Sequence, residues 1–482
     1  LVWSGERLFH AARFATEMWY QHFVFEEFAR TVSPDIDPFV FSNTVNIDPA
    51  IVAEFANVVY RFGHSMLNET VDRLAADGQT WSNLGLIEAF LNPVEFTNGG
   101  PTAEVAAGAI IRGMTRQVGN EIDEFLTSAL RNNLVGLPLD LGALNIARGR
   151  DTGTPSLNEA RAEFFAQTGD SRLAPYTSWA HFSQFIKNPA SVVNFVAAYG
   201  THPTITAATT ADAKRDAALL LVFGAPRGSL TPAPADRLDF LNARGAYAGG
   251  SLGGLNDVDF WIGGLAEKKM AFSGLLGSTF NFVFEVQLEK LQAGDRFYYL
   301  SRTQGMNLLN QLENDSFANF AIRNTDLGTD VNGLGAHTHL PNSIFRTPTY
   351  IFEIVAALQT DYAPDDPNSI DPEQADFFMG LMGRASVVRE DRNNDGVVDY
   401  LEYTGGEHVV LGGSNRDDTI VGGEGDDTIW GDGGNDRLEG GFGIDSIKGG
   451  EGDDIITDGG TDAGAGEVFH GDGGNDVING GQ

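Results

Sequence analysis

Apolar residues recur at spacings of three and four along residues 5–31, at Leu8, Phe9, Ala12, Ala15, Met18, Trp19, Phe23 and Phe28. Glu6, Arg13, Glu17 and Glu27 fall between them, which is the pattern of an amphipathic helix. Ser33-Pro34 closes it, because a proline ring pushes the preceding residue out of helical dihedrals. The same period predicts a helix over 49–74, entered near Asp48-Pro49, and one or two more over 103–134. Short helices follow over 158–198, with Asn158 as an N-cap, and others over 277–293 and 304–321. Residues 201–250 are rich in Ala, Thr, Pro and Gly and read as an irregular insertion with one helix at 211–223. Strand patterns are scarce before residue 400, so the chain up to there is predicted to be mainly α.

The pattern then changes. GGEGDDTIW, GDGGNDRLE, GGFGIDSIK and GGEGDDIIT run without a gap over 422–457, and GDGGNDVIN returns at 471–479. Glycine dominates positions 1, 2 and 4 of each unit, where tight turns direct carbonyls inward. Position 8 is apolar (Ile420, Ile429, Leu438, Ile447, Ile456, Phe469, Ile478) and is predicted to point inward from a short strand. Position 6 holds Asp418, Asp427, Asp436, Asp445, Asp454 and Asp476, which stack into columns as the turns pile up. Stacked carboxylates repel, so such a roll needs a cation between turns, and calcium accepts carboxylate and carbonyl oxygens. A disordered Gly-Asp tail is the alternative, and the regular apolar position argues against it. Asp454 and Asp476 are separated by more than two repeats, so 458–470 carries an insertion; Glu467 replaces Asp there and a weaker site is expected.

Just before the repeats, DRNNDGVVDYLE (391–402) fits the twelve-residue EF-hand loop. Asp391, Asn393 and Asp395 supply oxygens at loop positions 1, 3 and 5, and Gly396 allows the sharp turn. Val397 offers its carbonyl, Asp399 acts through water, Glu402 is the bidentate ligand and Val398 is the apolar pairing position. Gly405-Gly406 cuts any second helix short, so the pattern describes a lone calcium loop over 385–406; a solvated acidic linker is the alternative.

Charge sharpens this division. The chain of 482 residues carries a net charge of −35, and residues 391–482 contribute 22 acidic against 4 basic side chains. That balance speaks against nucleic-acid binding, which needs clustered Lys and Arg, and points to solubility or to cations that neutralise the carboxylates. There is no Cys, hence no disulfide scaffold and no thiolate chemistry. No apolar run reaches the length of a membrane span. The chain opens at Leu1 on a helix entry and closes on NGGQ inside a repeat, so it is expected to be a piece or a processed form.

The candidate chemistry before residue 380 centres on VVYRFGHSML. His64 can ligate a haem iron; Arg61, three residues earlier, shares its helix face and can meet a propionate; Gly63 leaves room for a flat macrocycle. On these residues alone a packed histidine is the plainer reading. Four blocks change that: YRFGHSML, LGALNIARGRDTGTPSLNEAR, DVDFWIGGLAEKKMAFSGLLGSTFNFVFEVQLEKLQAGDRFYY and WSGERLFHAARFATEMWYQHFVFEEF. Together they resemble the animal-type haem peroxidases, over most of residues 1–330.

The resemblance implies haem b, with His64 as axial ligand and Asn145 accepting the hydrogen bond from its far ring nitrogen. It implies that Arg61 and Arg148 hold propionates, that Leu141 and Leu144 line the haem edge, and that Arg150 and Asp151 form an ion pair; Thr152 stands where the family usually has His. The family's distal histidine, catalytic arginine and haem-linking carboxylates correspond to sequence before Leu1, so no catalytic residue is assigned and the chain alone is expected not to be a complete catalyst. The repeats resemble those of RTX proteins, which implies bacterial type I secretion and folding on extracellular calcium. His10, His22, His181, His202, His408 and His470 carry no motif; His337 and His339 flank Thr338 in a Gly-rich loop.

The expected architecture is a mainly α peroxidase domain (1–375), the calcium loop (385–406) and a calcium-binding parallel β-roll (410–482). The expected function is oxidation of a small donor or halide by hydrogen peroxide. A calcium-dependent adhesion protein with a cell-surface or matrix partner is the second class.

Overall fold

The computed structural model describes residues 4–41, 46–76, 82–90, 92–97, 100–114, 119–132, 134, 137–225, 231–270, 274–328, 350–355, 387–404, 409–424, 427–443, 445–459 and 468–480. The chain divides into two compact units. The first comprises Leu1–His64, Ile122–Glu124 and Asp140–Asn314, and the second comprises Ser65–Glu121, Phe125–Leu139 and Asp315–Gln482.

The first unit is helical. The predicted first helix forms at Gly5–His22, capped by Ser4, then widens into a π turn at Phe23–Ala29 and ends at Val32. Its apolar stripe is buried at Met18 and Phe23, whereas Leu8 and Phe9 lie exposed. Helices at Leu157–Thr168, Trp179–Phe182, Val192–Tyr199 and Ser278–Gly294 answer the sequence pattern. The helix Phe260–Ala266 packs on Ser278–Gly294 so closely that a Cβ on Gly264 would lie 2.1 Å from the Phe280 ring.

Several expectations need correction. The helix predicted over 49–74 is instead a short α-helix, Ala53–Asn57, followed by a 3₁₀ turn, Val59–His64. Val58, Val59 and Gly63 explain the break, since β-branched residues and glycine both weaken an α-helix. The cap of the Leu157–Thr168 helix is Ser156, in a capping box with Glu159; Asn158 is buried, with Nδ2 donating to Tyr176 O at 2.8 Å. The stretch 201–250 holds the expected helix (Ala211–Val222), but also Pro203–Thr206 and Arg237–Leu241. The helix predicted over 304–321 is split at Asn314 into Asn307–Glu313 and Phe317–Asn324.

In the second unit, a small antiparallel ribbon joins β1 (Thr70–Val71) to β2 (Leu84–Gly85). The rest is dominated by a solenoid of two sheets. One has the order β12-β10-β8-β6-β3 and the other β13-β11-β9-β7-β5-β4. Their strands are β3 (Tyr350–Glu353), β4 (Val387–Glu390), β5 (Tyr400–Tyr403), β6 (Val409–Ser414), β7 (Thr419–Glu424), β8 (Thr428–Gly433), β9 (Arg437–Phe442), β10 (Ser446–Glu451), β11 (Ile455–Thr457), β12 (Val468–Gly473) and β13 (Val477–Asn479). Neighbours are parallel except the β4–β5 hairpin. Successive nonapeptides alternate between the sheets, so each coil takes two repeats. The position-8 residues Ile420, Ile429, Leu438, Ile447 and Ile456 form the core with Leu401 and Leu411. Phe469 is only partly buried, and Ile478, expected inward, is 45% exposed because β13 ends its sheet with no strand beyond it among the described residues.

Candidate functional site

The first site is built by the helix Leu141–Asp151 and the turn Val59–His64. Asp140 caps that helix, its Oδ1 accepting from Ala143 N at 3.0 Å. Gly149 lies one turn beyond Asn145; a Cβ there would sit 3.8 Å from Val58, so the helix seats close to the segment carrying His64. Asn145 is fully buried, with Nδ2 2.8 Å from His64 Nδ1. Its Oδ1 is buried with no partner. A half turn of the amide exchanges the two atoms. His64 Nδ1–H then donates to Oδ1, the orphan oxygen is satisfied, and the Nε2 lone pair is left for a metal.

The surroundings keep His64 neutral. Burial first, then the charges of Arg61 and Arg148, push its pKa down. A 3₁₀ turn eclipses residues three apart, so Arg61 and His64 share a face although the predicted α-helix is absent. Arg61 Nε donates to Asn57 O at 3.2 Å, and neither Arg61 nor Arg148 faces a carboxylate among the described residues. Burial and Arg148 together lower the Arg61 pKa. Two guanidinium groups that repel each other call for anions. A Cβ on Gly63 would meet nothing within 4 Å, so the backbone beside His64 is open. The donor set, the orphan Asn145 oxygen and the unanswered arginines fit a haem with its propionates.

Leu141 and Leu144 are half-buried on the same helix. The expected Arg150–Asp151 pair does not form. Arg150 clasps Asp259, Nε to Oδ1 at 2.8 Å and Nη2 to Oδ2 at 2.6 Å, and Tyr199 Oη donates to the same carboxylate at 2.7 Å. Adjacent residues on a helix point in different directions, which leaves Asp151 exposed. No sequence signal marks a further pair, Arg161 with Glu267, buried and 2.6 Å apart. Glu267 also accepts from Tyr176 Oη at 2.8 Å and Thr279 N at 2.9 Å. Both lie in blocks that carry the resemblance, but nothing in either block marks them as a pair, so only the fold brings them together.

The second site is the inner lining of the solenoid. Asp418, Asp436, Asp454 and Asp476 form one column, and Asp427 and Asp445 another. Asp418, Asp436 and Asp454 each donate their N–H to Oδ1 of the next acid at 2.8, 2.9 and 3.0 Å. The Oδ2 atoms of Asp436 and Asp454 are buried without a partner. A Cβ placed on Gly431 would lie 2.3 Å from Asp436 Oδ2 and 2.4 Å from Gly449 O, and one on Gly449 would lie 2.2 Å from Asp454 Oδ2 and 2.7 Å from Gly471 O. A carboxylate oxygen and a carbonyl oxygen of the next coil thus converge where glycine leaves space and no donor arrives. Burial, with neighbouring acids adding, raises the pKa of Asp418 and Asp454 and pushes Asp436 up to about 7. Such a cradle fits a hard cation. It brings one side-chain carboxylate per step, which is why no cluster of three or more His, Asp or Glu side chains occurs among the described residues.

A further column lies outside this one, and sequence reasoning misses it. Asn435 N donates to Asp417 Oδ1 at 2.7 Å, Asp453 N to Asn435 Oδ1 at 2.8 Å, and Asn475 N to Asp453 Oδ1 at 2.8 Å. Position 5 alternates Asp and Asn coil by coil, a signal visible only once the coil length is known.

The 391–402 loop joins two strands, β4 and β5, rather than helices. Its oxygens turn toward the loop's own backbone. Asp391 Oδ2 accepts from Gly396 N at 2.8 Å, Asn393 Oδ1 from Asp395 N at 2.9 Å, Asp395 Oδ1 from Val397 N at 2.9 Å and Asp399 Oδ1 from Arg392 N at 2.6 Å. Gly396 takes the left-handed conformation that the pattern requires. Glu402 lies on β5, where its carboxylate accepts from Tyr400 Oη at 2.8 Å. His22 and His202 are buried in hydrogen bonds to Tyr299 and to Thr204 and Asp236. His337, His339, His408, Glu467 and the 375–385 boundary lie outside the described residues.

Residues 2–210 and 244–333 match the family model described as animal haem peroxidase. Residues 412–447, 439–462 and 464–482 match that of the RTX calcium-binding nonapeptide repeat. Peroxinectin A of Dictyostelium discoideum is 25% identical over 328 residues, 67% of this chain and 48% of that protein. Peroxidase mlt-7 of Caenorhabditis elegans is 28% identical over 304 residues, 62% of this chain and 33% of that protein. The solved structure of peroxidase A from Dictyostelium discoideum aligns with a TM-score of 0.47 at 22% identity, over 72% of this chain and 52% of that one. The chain therefore spans about half the length, or less, of these curated relatives. Among the described residues no helix is long and apolar enough to cross a membrane.

Proposed function

The chain belongs to the animal haem peroxidase family, and from that premise we propose that it holds haem b through His64 and serves a hydrogen-peroxide-dependent oxidation of a small donor or halide. The observation that carries this reading is the buried contact between His64 Nδ1 and the Asn145 amide, at 2.8 Å. Asn145 fixes the tautomer, so Nε2 faces outward unprotonated. Arg61 and Arg148 neutralise the propionates and keep the imidazole uncharged. When bound, the haem supplies the electrons that reduce peroxide and the oxidising power passed to the donor. The acid–base groups that act on peroxide are not assigned to this chain.

The repeats bind calcium in this reading, through Asp418, Asp427, Asp436, Asp445, Asp454 and Asp476, with glycine carbonyls completing each cradle. Calcium dependence favours a protein exported unfolded by a bacterial type I system and folded outside the cell. Hemin added to the expressed chain tests the haem assignment. A His-ligated Soret band is expected, lost in His64→Ala and shifted in Asn145→Ala; a band unchanged in His64→Ala removes the assignment.

A further inference from the structure

Two acidic segments, the 391–402 loop and the nonapeptide repeats, share one register. β5 runs parallel to β7 with Tyr400 opposite Thr419, Leu401 opposite Ile420 and Glu402 opposite Val421. Leu401 is fully buried in the same apolar column as the position-8 residues. Asp399 precedes Tyr400 as Asp418 precedes Thr419. Its carbonyl accepts from Thr419 N at 2.8 Å, the bond that the carbonyls of Asp418, Asp436 and Asp454 accept from Arg437, Ile455 and Val477, also at 2.8 Å. By strand pairing, core position and backbone hydrogen bond, Asp399 is a rung of the acid column, one coil ahead of Asp418.

The side-chain bond of the column is missing at that rung. Asp399 N donates to Glu390 O at 3.0 Å and not to Asp418. Asp418 Oδ1, in a residue only 2% exposed, is left buried with no donor and under the negative charge of Asp399. A second link joins the same two segments: Arg416 Nη2, from the first repeat, lies 3.2 Å from Asp395 Oδ2 of the loop. In a solenoid each coil is stabilised by its neighbours, so the first coil depends on whatever orders its outer side.

We propose that the hairpin is the solenoid's zeroth coil, and that loop and roll take up divalent cations as one cooperative unit, the loop acting as a cation-dependent N-terminal cap over the Asp418 rung. The proposal rests on the reading that the repeats bind calcium. Hydrogen exchange of the full 482-residue chain, followed region by region as calcium is raised from chelator levels, tests it. In the unsubstituted chain the loop, β7 and β9 gain protection at one common calcium midpoint. Asp391→Asn, whose side chain bonds only loop backbone groups, moves the β7 and β9 midpoints up by roughly tenfold, the usual scale for loss of a supporting carboxylate. If Asp391→Asn weakens the loop alone and β7 and β9 keep their midpoint, the cap is overturned. If calcium leaves the unsubstituted strands unchanged, the calcium reading itself falls and takes the cap with it. Protection of the Leu157–Thr168 helix serves as the check that each variant has folded.

Discussion

Asn145 decides which nitrogen of His64 is free, and it does so from a position with no access to water. The sequence around His64 singles it out only as a candidate, and its pairing with Asn145 is read from the resemblance alone, because 81 residues separate the two. Arg161 and Glu267 are not legible at all, being 106 residues apart. Their removal has a calculable outcome. Glu267→Ala leaves the Arg161 guanidinium buried and uncompensated, at a cost of about 3–5 kcal/mol. Chemical denaturation of the full chain, read on its helical signal, should show that loss, while Glu267→Gln, whose Oε1 still accepts from Arg161, Tyr176 Oη and Thr279 Oγ1 though the bond from Thr279 N is lost, should cost less.

At the scale of elements, the nonapeptide period announces both the strands and their inward residues, since one apolar position per repeat can only be buried if the repeats stack. The 3.6 period is less reliable where β-branched residues crowd the chain, as at Val58 and Val59. The loop is legible as a cation pattern but not as a hairpin, because the spacing of oxygens is the same whether helices or strands flank it. Ile447→Ala removes a fully buried side chain from the middle of the roll and should cost about 2–5 kcal/mol, read as a lower melting temperature in saturating calcium. Acidity acts on the same strands. Burial holds the Asp436 carboxyl at about 7 in the cation-free fold, above its unfolded value near 3.9. The cation-free roll therefore binds more protons than the unfolded chain between these limits. The contribution of Asp436 to its stability is full below about pH 4 and is lost as pH rises toward about 7. Circular dichroism in chelator should show strand signal returning on acidification, and calcium affinity should fall over the same window.

For the molecule as a whole, the charge of −35 sorts the two units by their needs. The helical unit closes its acids with arginines, as at Arg161–Glu267 and Arg150–Asp259. The solenoid holds few basic groups and leaves its acids to an external ion. Chelation near neutral pH should therefore abolish the β signal of the full chain and leave its helical signal in place. Simultaneous loss of both would count against separate stabilisation. The amino-acid composition marks the change from helical chain to glycine-rich repeats near residue 400, where the balance of charge and the glycine content shift together, but not the boundaries of the two units, which cross the chain at several earlier points.

The outer column of Asp417, Asn435, Asp453 and Asn475 imposes a parity on the roll. Every charged step rests on a neutral one. Excising a single coil would set two aspartates or two asparagines side by side, whereas excising two in tandem restores the alternation. Shortened or lengthened versions should then tolerate even changes in coil number better than odd ones, an asymmetry that high salt would erase.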